Sequence, residues 1–308
     1  MRRFALLVPF FLMAACSSPS LTSETLSEAE IAAIQLRVSD AYPELSSEKQ
    51  QAVTELVVRA LDNMVFVEGG SFMMGEFGVP CEPGSDDVCM SDFDKSNDHA
   101  HKVVLDDYSL SAYETTIADF DLFRELHGKA PYADDLRARE DRQELFEPNK
   151  PAWTKDWEEA RDYCAWIGEL SSRRLDLPTE AQWEFAARNR GKDVLYATND
   201  GLIEEGKNYP ASEDRPGPSN VGSFPPNPLG LYDLAANSGE WVKDWFSEDY
   251  YKNSDERNPS GPDEGEEKVF RNIASYNTPR TNTTVSRSSS SPIGDSYYPH
   301  QGFKCGMN

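Results

Sequence analysis

The chain has 308 residues, 38% hydrophobic and 11% aromatic, enough to bury a real core in one large domain with an appendage. Its 54 acidic residues outnumber 30 basic ones, a formal charge of −24. That balance argues against nucleic acid as a partner, because binding it depends on Lys and Arg neutralising phosphates, and it repels an anionic membrane surface. For most of the acidic residues the plain reading is a solubilising surface.

The amino terminus reads Met1-Arg2-Arg3, then an apolar run from Phe4 to Met13, then Ala14-Ala15-Cys16. A positive n-region, a short apolar stretch and small residues before a cut form a secretory signal, residues 1–15, too short to stay as a membrane span. Ala-Ala-Cys followed by Ser17-Ser18-Pro19-Ser20 resembles the lipobox of bacterial lipoproteins, which implies a lipidated Cys16 as first residue of the mature chain. Plain secretion, with Cys16 lost or free, is the alternative. Ser17 after the Cys resembles the pattern sorted to the outer membrane, facing the periplasm or the exterior. Cleavage removes Arg2 and Arg3 and takes the charge from −24 to −26, so the lipid must do the anchoring. Residues 16–26 read as a tether.

Four further cysteines remain, Cys81, Cys89, Cys164 and Cys305, and no CxxC is present. An even number in an exported chain reads as two disulfides with three possible pairings. Cys81 and Cys89 share one Gly- and Pro-containing loop and are expected to pair with each other. Cys164 with Cys305 would then close a loop of about 141 residues, a link of about 5 kcal/mol in the chain-entropy model.

Ser27-Glu28-Ala29-Glu30 is a capping box before a short helix carrying Ile31, Ile34, Leu36 and Val38, and Ser47-Glu48-Lys49-Gln50 opens a second helix with Val53, Leu56, Val57, Ala60 and Leu61 on one stripe. Residues 27–62 thus read as a helical hairpin that either lifts the domain off the membrane or binds a partner, or simply packs on the main domain. Met64 to Gly75 begins as a strand and turns at Gly69-Gly70. An acidic loop from Glu76 to Asp98 follows. His101 to Leu110 alternates as strands do, and Tyr113-Glu114-Thr115-Thr116 starts a helix through Leu122 and Phe123. Asp135 to Glu144 is a solvated charged insert. Trp157 to Leu170 is helical, with Ala160, Tyr163, Cys164 and Ile167 on one side, and Thr179 caps another helix. Arg188 to Pro228 is polar and aperiodic, and loops that long inside a domain usually have a further reason to be ordered, such as an ion or a functional surface.

Gly230 to Trp245, GLYDLAANSGEWVKDW, sets two carboxylates, Asp233 and Glu240, around Ala235-Ala236-Asn237-Ser238-Gly239. Small residues leave backbone carbonyls bare, and carboxylates with free carbonyl oxygens suit a hard cation such as calcium. An ordinary polar turn between core segments is the competing reading.

Taken together, FVEGGSFMMG, HKVVLDDYSLSAYETT, PAWTKDWEEARDYCAWIG, RRLDLPTEAQWEFAAR, NVGSFPPNPLGLYDLAANSGEWVKDW and GFKC, in order from about Met64 to Cys305, resemble the sulfatase-modifying factor family, the formylglycine-generating enzyme domain. The resemblance implies an α+β, variant C-type-lectin-like fold with little regular secondary structure over residues 63–308. It implies a structural calcium held by the Asp233 side chain, the Ala236 and Ser238 carbonyls and the Glu240 carboxylate. A second calcium maps onto Asn208, the Tyr209 carbonyl and Glu213 or Asp214. It also supports the Cys164–Cys305 pairing.

Active members of that family activate oxygen on copper held by two cysteine thiolates, the soft ligands that select copper(I). Aligned on Ser275-Tyr276, those cysteines fall on Thr278 and Thr283, and there is no cysteine between Cys164 and Cys305. A threonine hydroxyl offers no thiolate at neutral pH, so formylglycine-generating oxidase activity and bound copper are not expected, and no catalytic residue is assigned. His99, His101, His127 and His300 form no HxxxH or HExxH and read as surface residues, while Ser286 to Ser291 reads as a solvated turn without a GxSxG or a base. The expectation is a calcium-stabilised, noncatalytic lipoprotein acting as a binding, scaffolding or regulatory module in the bacterial envelope. Trp153, Arg271, Tyr276, Arg280 and Arg287 would line its cleft for a peptide, glycan or protein partner. The alternative is an oxidoreductase of the same family with altered metal chemistry in that cleft, a reading carried by fold alone.

Overall fold

A computed structural model describes residues 21–78, 96–154, 156–211, 217–272, 282–293 and 301–308. Local signals start several of its helices. Ser27 caps α1 (Glu28–Ala41) in a reciprocal box with Glu30, and the Ser46 hydroxyl accepts from the Lys49 amide ahead of α2 (Ser47–Asp62). The buried residues of α1 are Ile31, Ile34 and Val38, spaced as one helical face. In α2 they are Val53, Thr54, Leu56, Val57, Val58 and Leu61.

Four short strands follow: β1 (Met64–Val67), β2 (Gly70–Met74), β3 (His101–Leu105) and β4 (Tyr108–Ser111). Thr116 caps α3 (Ile117–Leu126), so Glu114 lies before the helix, between β4 and α3. The charged segment forms α4 (Asp134–Arg137) and a 3₁₀ turn (Glu140–Phe146); neither has a buried residue. Asp156 accepts from the Glu158 and Glu159 amides and starts α5 (Trp157–Ser171), which leads to β5 (Leu175–Asp176). Thr179 and Gln182 make a second capping box on α6 (Glu180–Ala187). The remainder is β6 (Gly239–Trp245), α7 (Tyr250–Asn253), β7 (Lys268–Arg271), β8 (Arg287–Ser290), β9 (Gln301–Phe303) and β10 (Gly306–Met307).

The strands form a sheet of order β1-β4-β10-β5, the pair β2-β3, and a sheet of order β8-β7-β6-β9 in which only β6 and β9 run parallel. Regular structure is sparse and helices and sheets are mixed, as expected for the α+β fold.

Of the two readings of the helical hairpin, the structure realises docking. α1 and α2 share one apolar cluster with Trp157, Tyr163, Cys164 and Ile167 of α5. The Trp166 Nε1 donates to the Tyr42 hydroxyl at 2.8 Å, and Arg173 pairs with Glu30 at 2.9 Å. The second cluster packs α6 against β2, β3 and the segment from Leu231 to Ala236. A disulfide joins Cys164 on α5 to Cys305, with Cα atoms 5.5 Å apart. Cys16, Cys81 and Cys89 lie outside the described residues.

Two expectations are corrected. The serine run is not a solvated turn: Arg287 to Ser290 is strand β8, paired antiparallel with β7, because a partner distant in sequence supplies the ladder. His101 is not a free surface residue but part of β3, its ring 4.7 Å from Tyr251 and its Nε2 buried; burial lowers its pKa.

Candidate functional site

The segment from Gly230 to Gly239 is an irregular turn feeding β6. Asp233 and Asn237 adopt left-handed backbone at φ 64° and 87°, a region where Asp and Asn are enriched among non-glycine residues. Cross-links from elsewhere hold it. The Gly222 amide donates to Asp233 Oδ2 at 2.7 Å. The Asn272 side-chain amide donates to the Ala236 carbonyl at 2.9 Å, and Asn237 donates to Glu114 Oε2 at 2.6 Å while accepting from the Ser219 amide. The Ser238 hydroxyl accepts from the Gly302 amide at 2.8 Å. A Cβ at Gly302 would stand 2.8 Å from that hydroxyl and 2.9 Å from the Ala152 carbonyl, so the glycine lets β9 approach the loop.

Glu240 lies on β6 opposite Arg271 and Gly302 and is buried. Trp183 Nε1 donates to its Oε2. Its Oε1 has no hydrogen-bond partner among the described residues, and the Lys304 ammonium stands 3.6 Å away. Burial pushes the Glu240 pKa up to about 7 against the pull of Lys304 and Trp183. Burial also raises Asp233, and it raises Glu114 well above the ordinary range, with Asp233 adding to the effect. The carboxyls of Asp233, Glu114 and Glu240, the last two buried, thus share the neighbourhood of one ammonium, that of Lys304.

Asp233 and Glu240 offer hard carboxylate oxygens, and Asp233, with Asn208, Ala236 and Asn237, borders a cavity of about 20 Å³, room for one water-sized species, which Glu240 does not line. Among the described residues no three His, Cys, Asp or Glu side chains converge to hold a metal by themselves, so a cation here depends on backbone carbonyls. Asn208 borders the same cavity, but its side chain is committed: Oδ1 accepts from the Glu204 amide, and Nδ2 donates to Asn199, Asp200 and Leu202. The Tyr209 carbonyl accepts from Gly206. Asp214 lies outside the described residues.

At the position of the second copper cysteine, Thr283 is buried and its Oγ1 lies 2.7 Å from the Ser286 hydroxyl while accepting from the Ser286 amide. Thr278, Tyr276 and Arg280 lie outside the described residues. Arg271 and Arg287 are buried rather than presented on an open wall. Arg271 donates to Glu180 at 3.1 Å and to Glu184 at 3.1 and 3.2 Å; Arg287 chelates Glu180 at 2.8 and 2.9 Å. Burial would raise the Glu180 pKa, but Arg287 and then Arg271 overcome it and hold that carboxyl below its usual value. Trp153 is buried against Phe146, ring centroids 5.5 Å apart. These three cleft candidates therefore serve packing and charge balance.

Sequence reasoning misses Glu114, Lys304 and Asn272. The signal available for Lys304 is its place in the GFKC motif; Glu114 and Asn272 have none beyond their neighbours.

The family model for the sulfatase-modifying factor enzyme 1-like domain matches residues 49–308, a span that starts within α2. The chain is 30% identical over 225 residues to the serine/threonine-protein kinase pkn1 of Chlamydia pneumoniae, covering 68% of this chain and 32% of that protein. It is 34% identical over 173 residues to the formylglycine-generating enzyme of Streptomyces coelicolor, covering 51% and 52%, and 42% identical over 97 residues to the inactive C-alpha-formylglycine-generating enzyme 2 of Bos taurus, covering 28% and 30%. The chain thus spans about a third to a half of the length of these relatives. In fold it is similar to PvdO from Pseudomonas aeruginosa, with a TM-score of 0.61 at 22% identity over 80% of this chain and 94% of that one. The family match, the LPTEAQW and GLYDLAANSGEW segments and the shared fold place this chain in the sulfatase-modifying factor enzyme 1-like family.

Proposed function

We propose that this protein is a noncatalytic member of the family, a calcium-ordered binding or scaffolding module held in the bacterial envelope by lipid on Cys16. The observation that carries the reading is the chemistry at the copper position. No cysteine lies between Cys164 and Cys305, and Thr283 spends its hydroxyl on Ser286. Hydroxyls cannot replace the thiolates that select copper(I). A relative whose name records it as inactive supports a silent member of this family.

Calcium would be held by the Asp233 and Glu240 carboxylates with the Ala236 and Ser238 carbonyls, and it would supply charge balance for a loop that ties β6 to β9. Asn208 Oδ1 and the Tyr209 carbonyl each accept one hydrogen bond, from Glu204 and Gly206, and would turn a second lone pair to a second ion. The buried ion pairs of Arg271 and Arg287 keep the sheet beside the copper position in register, leaving recognition to more exposed groups.

A direct test is copper(I) retention after competition with a chelator. The purified protein should lose all copper. Stoichiometric retention that disappears in Thr283→Ala would overturn the reading.

A further inference from the structure

A cleft of about 710 Å³ lies where α2 meets the β4–α3 connection and the loop at residues 220–222. Its volume falls in the range of small-molecule sites. One wall is apolar, with Ile167 of α5 and Leu175 of β5. The lining also includes Asn63, Tyr113, Glu114, Thr115, Asn149 and Asn220. The side-chain amides of Asn63, Asn149 and Asn220 make no intramolecular hydrogen bond among the described residues, and neither does the Thr115 hydroxyl. Glu114 Oε1 is buried and also lacks a partner there.

Tyr113 stacks on Tyr232 with centroids 4.5 Å apart, giving the cleft a rigid aromatic surface. Gly222 makes room for it: a Cβ there would meet the Tyr113 ring at 2.7 Å, on a backbone at φ 71°. Charge at the cleft is muted: Arg59 and Asp119 pair with each other, and burial holds the Glu114 carboxyl toward its neutral form.

These features describe the ligand. Side-chain amides each present both donors and an acceptor, which suits hydroxyls that are themselves both. An aromatic face beside them suits a ring with a C–H face, and muted charge favours a neutral molecule. An extended peptide fits less well: β4 is paired on both sides by β1 and β10, and the sheet's edge strands β1 and β5 reach the lining only through their first residues, Met64 and Leu175, too short a free edge for strand addition.

We propose that this cleft, which Thr283 does not line, is a binding site for a neutral saccharide of a few rings beside the loop that carries Asp233. The inference does not depend on whether copper chemistry is lost.

The test is saturation-transfer NMR and calorimetry on the full mature chain with maltotriose, cellotriose and tri-N-acetylchitotriose, and trialanine as the peptide probe. Asn149 and Asn220 are exposed, so Asn149→Ala/Asn220→Ala should leave the melting temperature unchanged. At least one trisaccharide should bind the unmodified chain, at least tenfold more weakly in the double variant. The proposal fails if none of the three binds, if binding is equal in the two proteins, or if trialanine binds and the saccharides do not.

Discussion

Asp244 shows how strongly single side chains are set by burial in this fold. It accepts from the Glu180 amide at 2.8 Å, and burial, with the Glu180 charge adding to it, pushes its pKa up to about 7 from an ordinary 3.8. The folded state therefore holds a proton that the unfolded chain releases near pH 4. This contribution to stability is fully present below that pH and is lost as pH rises through about 7. Asp244→Asn keeps the acceptor without the charge. In urea melts it should match the unmodified protein near pH 4 and exceed it at pH 8 by up to about 4 kcal/mol. Equal stability of the two at pH 8 would show that Asp244 is ionised without penalty. Lys268 experiences the opposite shift: burial lowers its pKa to about 8, and its ammonium sits 3.7 Å from the ring centroids of both Trp157 and Trp245.

At the scale of elements, the loop before β6 carries the cation reading. Asp233→Ala should lower the melting temperature in chelator, through the lost Gly222 hydrogen bond and the left-handed backbone, and lower it further when calcium is present; equal loss in both conditions would show that no ion binds there. What is legible in the sequence are devices whose partners are close along the chain. The box at Ser27 is read from residues three apart, the cap at Thr179 from its place before the helix, and the stripe on α5 from a turn's spacing. The fates of Arg271 and Arg287 are not legible, because the carboxylates that bury them, Glu180 and Glu184, come from α6, 87 to 107 residues earlier. The serine run fails for the same reason: a row of polar residues looks like a turn until β7 supplies a ladder. The Asp233–Glu240 pair is visible as a motif, while the Lys304 ammonium that shares its charge arrives from the far end of the chain.

For the whole molecule, the Cys164–Cys305 link spans 141 residues and ties α5 to the segment between β9 and β10. Replacing both cysteines by Ser should cost about 2–5 kcal/mol in equilibrium unfolding; an unchanged midpoint would mean that the link constrains little. The disulfide, the docked α1–α2 pair and the buried Glu180–Arg271–Arg287 network tie distant segments together, while Thr283, which the family resemblance aligns with a copper-binding cysteine, offers a hydroxyl.

The measurement that tests this most directly is oxidation of a sulfatase peptide bearing the target cysteine, with the purified mature chain, copper, reductant and oxygen, read by mass spectrometry. The account predicts that the peptide keeps its thiol through many hours at equimolar protein. Copper-dependent formation of the aldehyde, abolished by Thr283→Ala, would contradict it.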